Sequence, residues 1–175
     1  LTLTACGGGD SPAADEAGKG ASAAKVSLKI GHTLADTSHY QKGMEKFKEL
    51  VEKKSNGEVS LQIFPNGSLG GERDMIEGLN VGSIDMVLTS TPPMSGFAPE
   101  IGVVDLPFLF RDPDHAHKVL DGEVGNSLRD KVEAKLPSIK TLAWWENGFR
   151  SITNNANPIN KPEDLKGIKI RVQEN

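Results

Sequence analysis

The chain has 175 residues, 37% of them hydrophobic, with 19 glycines, 10 prolines and a single cysteine. That many breakers exclude a plain helical bundle and leave a turn-rich globular chain, either one domain or one domain and part of another. The formal net charge of -4 offers no basic footprint for nucleic acid, no apolar run is long enough to span a bilayer, and one cysteine makes no internal disulfide.

At the start, Leu3-Thr4-Ala5-Cys6 resembles a bacterial lipobox, the end of a secretory signal whose cysteine receives lipid after cleavage. Residues 1–5 are then a signal remnant, and 6–25, rich in Gly, Ala and Asp, the lipidated Cys6 and a flexible tether. A chance cysteine is the competing reading.

Order is expected from Val26 to Gly31, a strand by its alternation. Asp36-Thr-Ser-His-Tyr supplies capping residues for a helix with Tyr40, Met44, Phe47, Leu50 and Val51 on its apolar face, stopped by Asn56-Gly57. Glu58 to Phe64 is a second strand, Gly70 to Gly82 a second helix, and Ile84 to Leu88 a third, mostly apolar strand. This alternation predicts a parallel sheet with crossover helices, whose ligand lies beyond the carboxyl ends of the strands. Three loops fall there: Gly31-His32-Thr33, the run from Gly67 to Glu72, and Thr89-Ser90-Thr91. Their hydroxyls and free backbone N–H groups suit an anion or a polyhydroxylated ligand, although such residues populate ordinary loops too.

Ile101 to Phe110 is dense in apolar residues and is expected to be packing. Arg111-Asp-Pro-Asp-His-Ala-His opens a helix; His115 and His117, two apart, point to different sides and make a poor metal pair. Glu123 to Leu136 is a further helix stopped by Pro137, Ile139 to Trp145 a long strand, and 162–167 a single helical turn. A second strand from Ile168 to Val172 alternates apolar residues with Lys169 and Arg171. Arg150 and Arg171 thus stand at the ends of two strand-like segments. A guanidinium meets a carboxylate with two parallel hydrogen bonds, so both are candidates for gripping an organic acid, with Trp144 and Trp145 as apolar walls. Solvated strand ends and core tryptophans fit the same spacing.

Catalysis finds little support. Ser38-His39 and His32 with Asp36 contain the letters of a nucleophilic site but no nucleophile elbow, and the glycine-rich loops lack a Gly-Lys-Ser ending. No cofactor or metal is expected, and the chain reads as a cleft without a catalyst.

Five motifs in order carry a family resemblance: Gly-Ser-Leu-Gly-Gly-Glu-Arg-Asp-Met from 67, Gly-Ser-Ile-Asp-Met from 82, Asp-Leu-Pro-Phe-Leu-Phe from 105, Trp-Glu-Asn-Gly-Phe-Arg from 145, and Pro-Glu-Asp-Leu-Lys-Gly-Ile-Lys-Ile-Arg-Val from 162. Residues 26–175 resemble the dicarboxylate-type substrate-binding subunits of TRAP transporters, the tripartite, ATP-independent bacterial uptake systems. The resemblance implies a type II periplasmic-binding-protein-like α/β fold of two lobes, each a central sheet flanked by helices. The first lobe would span 26–140, and 141–175 would be a hinge strand and the start of an incomplete second lobe. Family members continue further, so the chain is expected to be an N-terminal piece. The resemblance further implies an extracytoplasmic, monomeric receptor that closes on a small organic acid and passes it to membrane permease subunits, held near the membrane by lipid on Cys6. Arg171 corresponds to the arginine that pairs the ligand carboxylate and Arg150 to one assisting it; Asn147, Glu72, Ser90 and Thr91, with His32 and Thr33, fall where the family lines its cleft. Hydroxyl-rich loops and Glu72 favour sugar acids such as uronates or aldonates over C4-dicarboxylates. A sensor lobe serving a signalling partner is the alternative, and a hydrolase stands third.

Overall fold

The computed structural model describes residues 24–173; the expected signal remnant, Cys6 and most of the tether lie outside the described residues. Strands β1 (Val26–Gly31), β2 (Val59–Phe64) and β3 (Met86–Val87) form a parallel sheet of order β2-β1-β3. Leu28 pairs with Leu61 and Ile30 with both Ile63 and Met86. Alternation therefore puts like side chains in register along the sheet.

The crossovers are short helices with local reasons to begin where they do. Helix α1 (His39–Lys54) starts at Ser38, whose hydroxyl accepts the Gln41 N–H. It ends on Lys53 and Lys54, which suit the negative end of the helix dipole, before the left-handed pair Asn56 and Gly57. Helix α2 (Glu72–Asn80) follows Gly71, whose N–H is taken by the Asp74 carboxylate at 2.9 Å. Helix α1 and the sheet share a core of Ile30, Met44 and Leu61, flanked by Leu28, Phe47, Val51 and Ile63. Leu61 is 1% exposed, and burying a leucine so completely contributes about 1.5–3 kcal/mol.

A second core joins α2 to α3 (Thr91–Ser95), a 3-10 helix (Pro99–Asp105) and α5 (Glu123–Lys135), while α4 (Pro113–Leu120, capped by Asp112) packs beside α5 and buries none of its residues. This core holds Ile76, Met94, Ala98, Ile101, Val132, Leu136 and Ile139, with Trp144 against it. The sheet and this second layer meet at Gly31, where a Cβ would lie 2.6 Å from the Met75 sulfur. A Cβ there would force the Met75 side chain to shift.

Four expectations change. The third strand is shorter than 84–88. Of the apolar run 101–110, Ile101 is buried, while Val103, Leu106, Phe108 and Leu109 are exposed; Pro99 and Pro107 hold the run in 3-10 and turn geometry, so only one side meets the second core. Neither Ile139–Trp145 nor Ile168–Val172 forms a strand, because no described strand lies beside either segment to pair with it. Instead 140–142 is held by side chains of α5: the Glu133 carboxylate accepts from Lys140 and the Thr141 N–H, and Arg129 donates to the Leu142 carbonyl. The single helical turn expected at 162–167 is present, as the 3-10 helix Pro162–Leu165.

The Lys140 and Thr141 hydrogen bonds, in that order, hold the Glu133 carboxyl below its ordinary value of 4.5. A lowered carboxylate contributes stability that is complete above its unfolded pKa and is lost as pH falls through the folded one. Glu133→Gln is therefore expected to lower the melting temperature at neutral pH and to converge with the parent in acid, below the folded value. Melting curves measured across that range check it; a parallel offset at every pH would refute it.

Candidate functional site

The carboxyl ends of β1, β2 and β3 feed three loops that meet on one edge. After β1, His32 is fully buried and acts partly as a tie: its N–H donates to the Phe64 carbonyl, its carbonyl accepts the Gly67 N–H, and its Nε2 lies 2.9 Å from Gln41 Oε1. Its Nδ1 has no hydrogen-bond partner. Thr33 is half-buried beside it.

Glu72, first residue of α2, organises the third loop. Its Oε1 accepts the Ser90 N–H and the Ser90 hydroxyl, each at 2.8 Å, and the Thr89 hydroxyl at 3.4 Å. Ser90 precedes α3, and Thr91 donates to Asp105 Oδ1 at 2.6 Å. Burial pushes the Asp105 carboxyl up, opposed by that Thr91 bond and then by the Arg150 charge. Burial and, second, the Glu72 charge push the Tyr40 phenol up.

Arg150 reaches this edge through Gln173. Its Nη2 donates to Gln173 Oε1 at 2.6 Å, and Gln173 Nε2 donates to Ser90 Oγ at 2.8 Å. A chain of polar contacts thus runs Glu72, Ser90, Gln173, Arg150. Trp145 stands edge-on to Tyr40, ring centroids 6.0 Å apart, and lies over Gly43. Trp144 belongs to the second core, so only one of the two tryptophans walls the edge.

The expected residues are therefore gathered unequally. His32, Thr33, Glu72, Ser90, Thr91 and Arg150 come to one edge. Asn147 and Arg171 are exposed, with no side-chain hydrogen bond to another described residue. Tyr40, Asp105 and Gln173 were not anticipated. Gln173 had a signal, standing two residues past Arg171 on the same side of an extended chain; Asp105 and Tyr40 had none beyond their place in the fold. His115 accepts the Arg111 N–H and His117 meets Glu146 at 2.6 Å, which occupies both imidazoles in local structure. Two hollows of about 350 and 210 Å³ line α5 and the 103–110 segment and include none of the gathered residues.

Comparison with known proteins gives this edge a context. Residues 30–175 match the family described as bacterial extracellular solute-binding protein, family 7, or DctP. The 2,3-diketo-L-gulonate-binding periplasmic protein YiaO of Escherichia coli is 42% identical over 86% of this chain and 45% of its own length. Among solved structures, a sugar acid binding protein from Advenella mimigardefordensis in complex with galactonate superposes with a TM-score of 0.83 at 42% identity, over 88% of this chain and 49% of that one. A TRAP periplasmic solute binding protein from Polaromonas sp. JS666 bound to D-erythronate gives 0.80 at 47% identity, over 86% and 49%. The chain thus spans about half the length of the relatives it matches, and its sheet and flanking helices are those of their α/β fold. It belongs to the DctP family of bacterial extracellular solute-binding proteins.

Proposed function

We propose that this protein is the extracytoplasmic receptor of a TRAP transporter, capturing a small organic acid and delivering it to membrane permease subunits. The observation that carries this is the convergence of Arg150, Ser90 and Glu72 at the carboxyl edge of the parallel sheet, where open α/β sheets bind ligands. Arg171 and Arg150 hold the carboxylate, and His32, Thr33, Glu72, Ser90, Thr91 and Asn147 line the cleft that closes over it. Residues 26–140 act as one lobe and 141–175 as the hinge and the beginning of the next. Lipid on Cys6 keeps the receptor at the membrane. The ligand is a sugar acid, in keeping with the galactonate and D-erythronate bound by its relatives.

A thermal-shift panel of uronates, aldonates, C4-dicarboxylates and keto acids tests the reading. An acid at a hundred times its dissociation constant should stabilise the protein by about 2.7 kcal/mol. A sugar acid shifting the melt is the expected result; no shift from any acid would overturn it.

A further inference from the structure

A glycine inside a helix needs a reason, since glycine is the poorest helix former after proline. Gly43 stands inside α1 and is not among the residues with positive φ, so backbone freedom is not what it supplies. What it supplies is space. A Cβ at 43 would lie 2.7 Å from Cη2 and 2.8 Å from Cζ3 of Trp145, well inside the roughly 3.5–4.0 Å at which carbon atoms pack. The indole therefore rests on bare helix backbone, and it meets Tyr40 edge-on as well.

Trp145 belongs to a strap, residues 140–146, that is anchored along its length. Glu133 accepts from Lys140 and the Thr141 N–H, Arg129 donates to the Leu142 carbonyl, Trp144 packs on the second core, and Glu146 meets His117. These contacts hold the strap to α4, α5 and the second core; Trp145 carries it across to α1, whose Gln41 pairs with the buried His32. Arg150 stands five residues further on. Between them Asn147, Gly148 and Phe149 are exposed, and Gly148 has a φ of 80° with open space around it. Those three residues bring no packing of their own, so the Arg150 backbone takes its place from the last anchored residues before it.

We propose that Trp145, seated in the notch left by Gly43, is a positioning residue for Arg150: it fixes where the strap leaves α1, and so where that guanidinium meets the ligand's carboxylate. This rests on the receptor reading above. Glycine at 43 and an indole at 145 are then a matched pair. A methyl group added to the helix displaces the ring by about 1 Å, whereas a functional side chain must be held to within about 0.5 Å of its productive geometry. A phenyl ring stops short of the Cη2 and Cζ3 positions, so phenylalanine at 145 leaves the room that alanine at 43 needs.

Calorimetric titration of the purified protein with D-galactonate, D-glucuronate, D-erythronate and succinate tests this. Gly43→Ala is expected to weaken whichever acid binds by about tenfold. Its acid-free melting temperature should stay near the parent's, because alanine favours the helix and the displaced ring is already 38% exposed. Trp144→Phe leaves Trp145 as the only indole, and in that background Gly43→Ala should shift its emission to the red. Trp145→Phe added to Gly43→Ala should recover most of the lost affinity, a rescue that general damage to α1 would not show. Should Gly43→Ala fail to fold, Trp145→Ala removes the ring without crowding α1 and should weaken binding to the same extent. Parent-like affinity in Gly43→Ala or in Trp145→Ala, an unmoved emission, or a double variant as weak as Gly43→Ala overturns the positioning role and leaves the receptor reading intact. Absence of binding by all four acids to the parent overturns both.

Discussion

Gly125→Ala is expected to destabilise the protein by about 3 kcal/mol, the upper part of the range for overpacking a tight contact. The sign is the informative part. Inside a helix, glycine to alanine ordinarily gains up to about 1 kcal/mol, and Gly125 lies in the first turn of α5. Here a Cβ would overlap the backbone carbonyl of Leu120, the last residue of α4. Gly125 is buried and the obstructing atoms are main chain, so no side chain can swing aside. Relief requires α4 and α5 to part, and α5 buries Leu128 and carries Val132 into the second core, with Leu136 just past its end. For a domain of this size each kcal/mol moves the melting temperature by about 2–4 °C, so a drop near 10 °C is the expected reading. An unchanged or raised melting temperature would show that the α4–α5 turn is looser than its geometry.

The sequence was most legible where the determinants are local. Strand β1, α1, β2 and α2 fall within a residue or two of the expected spans, because Ser38, Asn56-Gly57 and the two-residue alternation act within a turn or a strand. Ile168–Val172 carries the same alternation and Ile139–Trp145 was expected as a long strand, yet neither is a strand. Alternation says which side chains share a face, but a strand also needs a neighbour for its N–H and C=O groups, and that neighbour is set by the whole fold. The loop Thr89-Ser90-Thr91 runs into a helix the sequence reading did not expect: prolines are tolerated in a helix's first turn, where their missing N–H costs nothing, and α3 begins at Thr91. The hydroxyl loops of the site followed from a topological rule. The Gln173 bridge did not, since it joins residues 83 apart in sequence.

Arg171→Ala is expected to abolish the melting shift that an organic acid produces, with an affinity loss of about 2–5 kcal/mol, the range for truncating one member of a hydrogen-bonded charge pair. That corresponds to roughly 30-fold to several-thousand-fold. Arg171 is exposed and makes no side-chain hydrogen bond to another described residue, so its removal should leave the acid-free stability within about 0.5 kcal/mol of the parent, as surface substitutions usually do. A loss of affinity then reads as a lost ligand contact rather than as unfolding. Arg171→Lys separates charge from shape: an ammonium keeps the Coulomb attraction but cannot make the planar two-bond contact, so it should recover only part of the affinity. Full recovery would mean that Arg171 acts as a point charge attracting anions to the edge, with the bonding left to Arg150. Affinity unchanged in Arg171→Ala would remove Arg171 from the clamp, and the grip on the carboxylate would pass to the guanidinium already tied through Gln173 to Ser90.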